Sequence, residues 1–246
     1  MFSRNELIWG KDKQHALKDK HVVVFGVGAV GGYALEMLAR CGVGKLSIID
    51  FDEIDESNLN RQIIALHSNL GKKKTQEFEK RLKDINPEVE VRVFDDFYNG
   101  NLDEEIFAEK VDAVVDAIDT MKSKIGLLKY CAKNGIFVVS AMGAGNKLDP
   151  TRLVVKEISE TGKVKNAFAA NIIRILNREG IEKGITAVYS EEQLKPTEKI
   201  LKSEQVTTKS GEVVNFDKIT PGSVSFVTAV SGCYCAYAVI KKLIKI

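Results

Sequence analysis

From His21 to Ala141, apolar and β-branched runs alternate with segments of helical period. Parallel strands joined by crossover helices produce this rhythm. The spacing predicts strands over residues 21–25, 45–50, 89–94, 111–117 and 136–141. It predicts helices over 30–41, about 73–84, about 102–109 and 120–133. Beyond Met142 the pattern changes to a glycine-rich turn (GAGNKLDP), a strand over 152–157 and a helix near 167–178. The polar stretch 191–220 reads as a mobile loop or crossover. The expected fold is a doubly wound, Rossmann-like α/β sheet, mostly parallel. To it are added a C-terminal extension and that mobile crossover.

Residues 223–240 (SVSFVTAVSGCYCAYAVI) carry no charge over eighteen positions, close to the lower length of a membrane span. Their Ser, Thr, Gly, Cys and Tyr content makes the stretch only mildly apolar. A core helix beneath the sheet is expected rather than stable membrane insertion.

The chain has 246 residues, 44% hydrophobic and 28% charged, enough for one decorated domain over 1–246. A net charge of +2 does not by itself mark a nucleic-acid or membrane binder. The N-terminus lacks an apolar segment of signal-peptide type, so a cytoplasmic location is expected. Cys41, Cys131, Cys233 and Cys235 form no Cys-x-x-Cys pair, which predicts reduced thiols and no structural zinc. Cys233 and Cys235 read as packing residues, and His21 and His67 as structural.

Gly26-Val-Gly28-Ala-Val-Gly31 follows a buried strand and opens a helix. The glycines permit a tight turn and close backbone approach, and the helix N-terminus favours a di- or triphosphate. Asp50 ends the second strand, where a carboxylate accepts a ribose hydroxyl. Asp52 is placed either behind the nucleotide contacts or at a metal. To this point NAD would serve as well as ATP. The next segment, Asn58-Leu-Asn-Arg61-Gln62, then Gly71-Lys-Lys-Lys74 and Asp116-Ala-Ile-Asp119, distinguishes them. Hydride transfer has no need of this set. Cleavage of the α–β phosphate bond does, because Arg61 and Lys74 can stabilise developing phosphate charge and a strand-end carboxylate can hold magnesium.

In this order and spacing the motifs resemble the ubiquitin-activating-like (ThiF/MoeB-like) family, whose members adenylate a carboxylate. The resemblance implies that Gly26, Gly28, Gly31 and Asp50 bind ATP, Asp50 at the ribose. Asn58, Arg61, Gln62 and Lys74 would contact phosphates, and Asp119 would bind Mg2+. Arg61, Lys74 and Asp119 are the implied catalytic residues.

The later segments Gly143–Arg152 (GAGNKLDPTR), Val188-Tyr-Ser-Glu-Glu192 with Pro196, and Pro221–Gly232 (PGSVSFVTAVSG) resemble the tRNA threonylcarbamoyladenosine dehydratases. The similarity runs from about Lys11 to the C-terminus. It implies activation of the threonylcarbamoyladenosine carboxylate in tRNA, followed by displacement of AMP by an internal nitrogen to give a cyclic hydantoin. No protein thioester is needed. It also implies a homodimer and a possible sulfur-relay partner, with about 11–142 as nucleotide-binding core and about 143–246 as substrate-binding and dimerisation extension. Around Asn166-Ala-Phe-Ala the chain departs from the Asp-Pro-Leu-Ala-like sequence of that family. Lys147, Arg152, Arg174 and Arg178, with Lys72 and Lys73, are candidate contacts to the tRNA backbone. The competing readings are an activating enzyme for a ubiquitin-like sulfur carrier, an NAD-dependent oxidoreductase, and a nucleotide-binding protein without catalysis.

Overall fold

The computed structural model of the chain describes residues 1–162, 164–193, 200–207, 211 and 213–246. Two short helices, α1 (Ser3–Trp9) and α2 (Lys11–Leu17), lead into β1 (His21–Phe25). Then follow α3 (Gly31–Cys41), β2 (Lys45–Ile49), α4 (Lys74–Ile85), β3 (Glu90–Phe94), α5 (Asp103–Ile106), β4 (Ala113–Asp116), α6 (Met121–Lys133) and β5 (Val138–Ala141). The later elements are β6 (Leu153–Glu157), α7 (Ala167–Arg178), β7 (Ile185–Ser190), β8 (Ile200–Thr207), β9 (Val213–Thr220) and α8 (Ser225–Ile244).

Seven strands form one sheet in the order β3-β2-β1-β4-β5-β7-β6. Every pairing is parallel except β6 with β7. Both faces are covered, so β1 is buried at all five positions, as parallel strands between helical layers require. Strand alternation divides the core. Val22, Val24, Leu46 and Ile48 face α3, α4 and α8. Val23, Phe25, Ile49 and Val114 face Leu127 and Leu128 of α6 and Ile172 and Leu176 of α7. Each such fully buried side chain contributes roughly 1.5–3 kcal/mol of transfer free energy.

The chain winds outward through β1, β2 and β3, then returns to place β4 on the other side of β1. At that switch point the loops after β1 and β4 diverge and open a crevice at the carboxyl ends of the strands. Close approach there depends on glycine. A Cβ on Gly31 would lie 1.8 Å from the Gly26 carbonyl oxygen.

Helix α8 packs against α3 and the sheet, with Val227, Cys235 and Val239 fully buried. It is the one helix among the described residues long and apolar enough to cross a membrane, and 56% of its apolar window is buried inside the protein.

Four features differ from the pattern reading. Helix α1 buries none of its residues and α2 only Gln14 and Leu17, so neither carries an apolar stripe to reveal it. Strand β7 was not foreseen; it inserts between β5 and β6 and thereby brings β6 into the main sheet. The described part of 191–220 is a separate antiparallel hairpin, β8–β9, rather than a loop. The ribbon is separate from the main sheet and satisfies its ladder hydrogen bonds by pairing with itself. Pro196 of the polar stretch lies outside the described residues.

Candidate functional site

The crevice at the switch point has a volume of about 830 Å³ and takes its walls from the ends of β1, β2, β4 and β5. Gly26 starts the phosphate turn with φ of +79°, and its position permits the Ala117 carbonyl to approach within 2.9 Å of where a Cβ would stand. A side chain there would push the two loops apart.

Asp50 lies at the floor, 8% exposed. Its Oδ2 accepts from Val27 N at 2.7 Å and its Oδ1 from Asp52 N at 2.9 Å. Each carboxylate oxygen keeps lone-pair capacity for a ligand hydroxyl. Burial pushes the Asp50 carboxyl up to about 6; Lys74 opposes the rise and the neighbouring Asp52 adds to it.

Lys74, the first residue of α4, is 3% exposed, and its Nζ lies 2.6 Å from Asp52 Oδ2. The Asp52 side chain is 45% exposed, so the ammonium is buried while its counter-charge remains partly in water.

A short 3-10 turn, Glu56–Asn58, is capped by Asp55, which accepts from Ser57 N. Asn58 then anchors the backbone that carries Arg61 and Gln62, since its carbonyl accepts from both their N–H groups. Arg61 donates from Nη1 to the Ser57 carbonyl at 2.6 Å and to Asn60 Oδ1 at 2.8 Å. Burial lowers its affinity for the proton, and the field of Asp119 opposes this. Gln62 is buried, and its Oε1 has no hydrogen-bond partner among the described residues, a polar atom ready for a ligand. Asp119, on the loop after β4, is exposed at the mouth.

The crevice therefore brings together Gly26, Gly28, Asp50, Asp52, Asn58, Arg61, Gln62, Lys74 and Asp119. Gly31 stands behind the turn rather than on the wall. None of Lys72, Lys73, Lys147, Arg152, Arg174 or Arg178 lines it. Lys73 Nζ donates to the Phe51 carbonyl at 3.1 Å, and Lys147 Nζ to the Glu192 carbonyl at 2.9 Å. Arg152, Arg174 and Arg178 are exposed.

The opposite wall includes residues that motif reasoning missed. Asn166 caps α7, accepting from Phe168 N and Ala169 N, and donates to the Gly143 carbonyl. Phe168 and Thr228 face the same space, as do Phe97 and Tyr98 beyond the end of β3. The strand-end rule applied to β3 would have flagged the last two. The others come from distant elements and show no local signal.

Two cationic side chains, a deep carboxylate, an exposed carboxylate and a glycine turn suit an ATP whose α–β bond is cleaved. No cysteine lines the crevice, so the wall offers no thiol nucleophile among the described residues.

A profile of the ThiF family matches residues 2–246. The chain is 40% identical over 248 residues to the tRNA threonylcarbamoyladenosine dehydratase of Bacillus subtilis, covering 99% of this chain and 94% of that protein. The structure of Escherichia coli tRNA N6-threonylcarbamoyladenosine dehydratase in complex with ATP superposes with a TM-score of 0.84 at 30% identity, over 99% of this chain and 93% of that one. An adenylyltransferase and sulfurtransferase of Vanderwaltozyma polyspora is 34% identical, over only 56% of this chain and 31% of that protein.

Proposed function

Given that the chain belongs to the ThiF family, we propose that it uses ATP to dehydrate threonylcarbamoyladenosine in tRNA, closing its side chain into a cyclic hydantoin. The observation that carries this reading is extent. Similarity to the dehydratase spans 99% of the chain, whereas similarity to the adenylyltransferase and sulfurtransferase stops at 56%.

The substrate carboxylate oxygen attacks the α-phosphorus of ATP and pyrophosphate leaves with the electrons of the broken P–O bond. A side-chain nitrogen of the same substrate then attacks the acyl carbon, loses its proton, and expels AMP. The substrate nucleoside has then lost one water. Activation supplies the leaving group and the enzyme supplies positioning, which is why a crevice without a thiol suffices.

Asp50 holds the ribose through its remaining lone pairs. The turn at Gly26, Gly28 and Gly31 presents backbone N–H groups to the phosphates, with Asn58 and Gln62 as polar side-chain contacts. Lys74 leaves its Asp52 contact in part to meet the phosphates, and Arg61 meets them from the facing wall. Both cations stabilise charge that grows as the α–β bond breaks.

No group of three or more His, Cys, Asp or Glu among the described residues forms a metal cage. Magnesium carried by ATP needs only one or two carboxylates with phosphate oxygens and waters, which Asp119, exposed at the mouth, fits. When bound, it would neutralise phosphate charge as a Lewis acid.

Residues 11–142 act as the nucleotide core, and 143–246 as the tRNA-binding and homodimer-forming part, with Arg152, Arg174 and Arg178 toward the phosphodiester backbone. Lys147, tied to Glu192, acts through that loop. The location is cytoplasmic, and a sulfur-relay protein is a possible partner. The test is AMP release. It should appear with threonylcarbamoylated tRNA and be absent with unmodified tRNA or with a ubiquitin-like carrier ending in Gly-Gly. AMP release with the carrier alone would overturn the reading.

A further inference from the structure

Beneath the crevice, three polar side chains from three elements meet out of contact with water. Asp116 at the end of β4, Lys124 on α6 and Ser140 on β5 are each 0% exposed. Asp116 Oδ2 accepts from Lys124 Nζ at 2.6 Å and from Ser140 Oγ at 2.6 Å. Lys124 Nζ lies 3.3 Å from Ser140 Oγ. The second carboxylate oxygen, Oδ1, accepts from Ile118 N at 3.2 Å. None of these three side chains has been given a role above.

A buried ion pair is a poor device for stability, because well-packed apolar residues of similar volume are often as good or better. Its geometry here serves the loop. Ala117 N donates to the Phe25 carbonyl at 2.8 Å, and the Ala117 carbonyl rests on Gly26. Ile118 N is held by Asp116, and Lys124 N donates to the Thr120 carbonyl at 3.0 Å. The segment 117–120 is thus pinned to the phosphate turn on one side and to the node on the other, and Asp119 sits between the pins.

We propose that the Asp116–Lys124–Ser140 node is a positioning device that holds Asp119 opposite the phosphates, acting through the Ile118 N–H. The ion pair and the Ser140 hydroxyl hold Asp116 Oδ2 and so orient the carboxylate with Oδ1 facing the loop. This inference rests on the proposed role of Asp119 in the adenylation.

Two charge-neutral double variants of the full chain separate anchoring from stability. In D116N/K124M the amide oxygen can still accept from Ile118 N; in D116L/K124M no acceptor remains. AMP release with threonylcarbamoylated tRNA gives kcat and KM for ATP, and thermal melting reports the fold. Loss of one such hydrogen bond from the working geometry corresponds to roughly a tenfold change. The leucine double is expected to show kcat about tenfold below the asparagine double, with KM for ATP within about threefold, because the ribose and turn contacts lie on other strands. The asparagine double is expected several-fold below the parent kcat, because it keeps the acceptor for Ile118 N but loses the ion pair that orients it. Equal kcat in the two doubles overturns the proposal. Should either double fail to melt cooperatively, Ser140→Ala decides. It removes one of the hydrogen bonds that orient Asp116, so a kcat several-fold lower at unchanged melting temperature supports the node and a parental kcat overturns it. Asp119→Ala is run alongside: parental turnover there overturns the assignment of Asp119 itself, and with it the purpose of the node, whereas lost turnover leaves the doubles to judge the node alone.

Discussion

Replacing Lys74 by Met tests the charge logic of the crevice most sharply. Met keeps most of the buried stem, so little cavity is left at a position only 3% exposed. The Asp52 carboxylate that loses its partner is 45% exposed, and an ion pair open to water on one side contributes at most about 1 kcal/mol. The fold should therefore survive. Catalysis should not. Removing one preorganised stabiliser of transition-state charge costs about 3–4 kcal/mol, or roughly 10²–10³ in kcat. A second effect follows from Asp50, whose proton affinity Lys74 restrains. Without the ammonium, the Asp50 carboxyl titrates above its present value of about 6. The acid limb of the KM for ATP then moves to higher pH. The assay is steady-state AMP release at saturating tRNA, repeated on both sides of pH 6. A kcat within about threefold of the parent at saturating ATP would refute the role of Lys74. An unmoved acid limb would refute its coupling to Asp50.

In the unaltered protein, Asp50 is held above its ordinary range and so gains its proton as pH falls through about 6. KM for ATP should rise below that pH, and Asp50→Asn should abolish the dependence; a KM flat with pH in the parent contradicts the ribose assignment. Because the folded-state value is raised, the ionised carboxylate opposes folding above pH 6, and this opposition is relieved as pH falls toward 4. Arg61→Ala and Asp119→Ala should each lower turnover by about 10² or more with melting temperature preserved, as measured by AMP release and calorimetry. At Gly232 a Cβ would lie 2.4 Å from the Val30 carbonyl oxygen and 2.7 Å from Tyr33 Cβ. Gly232→Ala should wedge α8 from α3 at a cost of about 1–3 kcal/mol, a fall of several degrees in melting temperature.

What the sequence made legible was whatever has a local cause. The apolar and period-3.6 runs mark β1, β2, β4 and β5 and the helices α3, α4, α6 and α7 because those elements bury continuous faces, whereas the helix expected over about 102–109 shortens to α5, which buries only Ile106. The strand-end carboxylates and the glycine turn converge because parallel winding places every strand's carboxyl end on one side. Asp50, Arg61, Lys74 and Asp119, spread over 70 positions, are thereby on one crevice. Helices α1 and α2 escaped because neither buries an apolar stripe, and the β8–β9 hairpin because it pairs only with itself, apart from the main sheet. The wall formed by Asn166, Phe168 and Thr228 escaped because it depends on how α7 and α8 return across the sheet. Lysine partners were equally opaque: Lys73 and Lys147 read as candidate contacts to the tRNA backbone, yet each donates to a backbone carbonyl of the chain itself. Lys124 belongs to none of the motifs. Only its place in register with Leu127, Leu128 and Cys131 on the buried face of α6 could have signalled its burial.

The most direct measurement is mass spectrometry of nucleosides from threonylcarbamoylated tRNA incubated with the protein and magnesium-ATP, with AMP followed in parallel. The modified adenosine is expected to lose the mass of one water, in step with AMP and only when ATP is present. An unchanged nucleoside, with pyrophosphate exchange driven instead by a ubiquitin-like carrier, would contradict the dehydratase reading while leaving an ATP site in place.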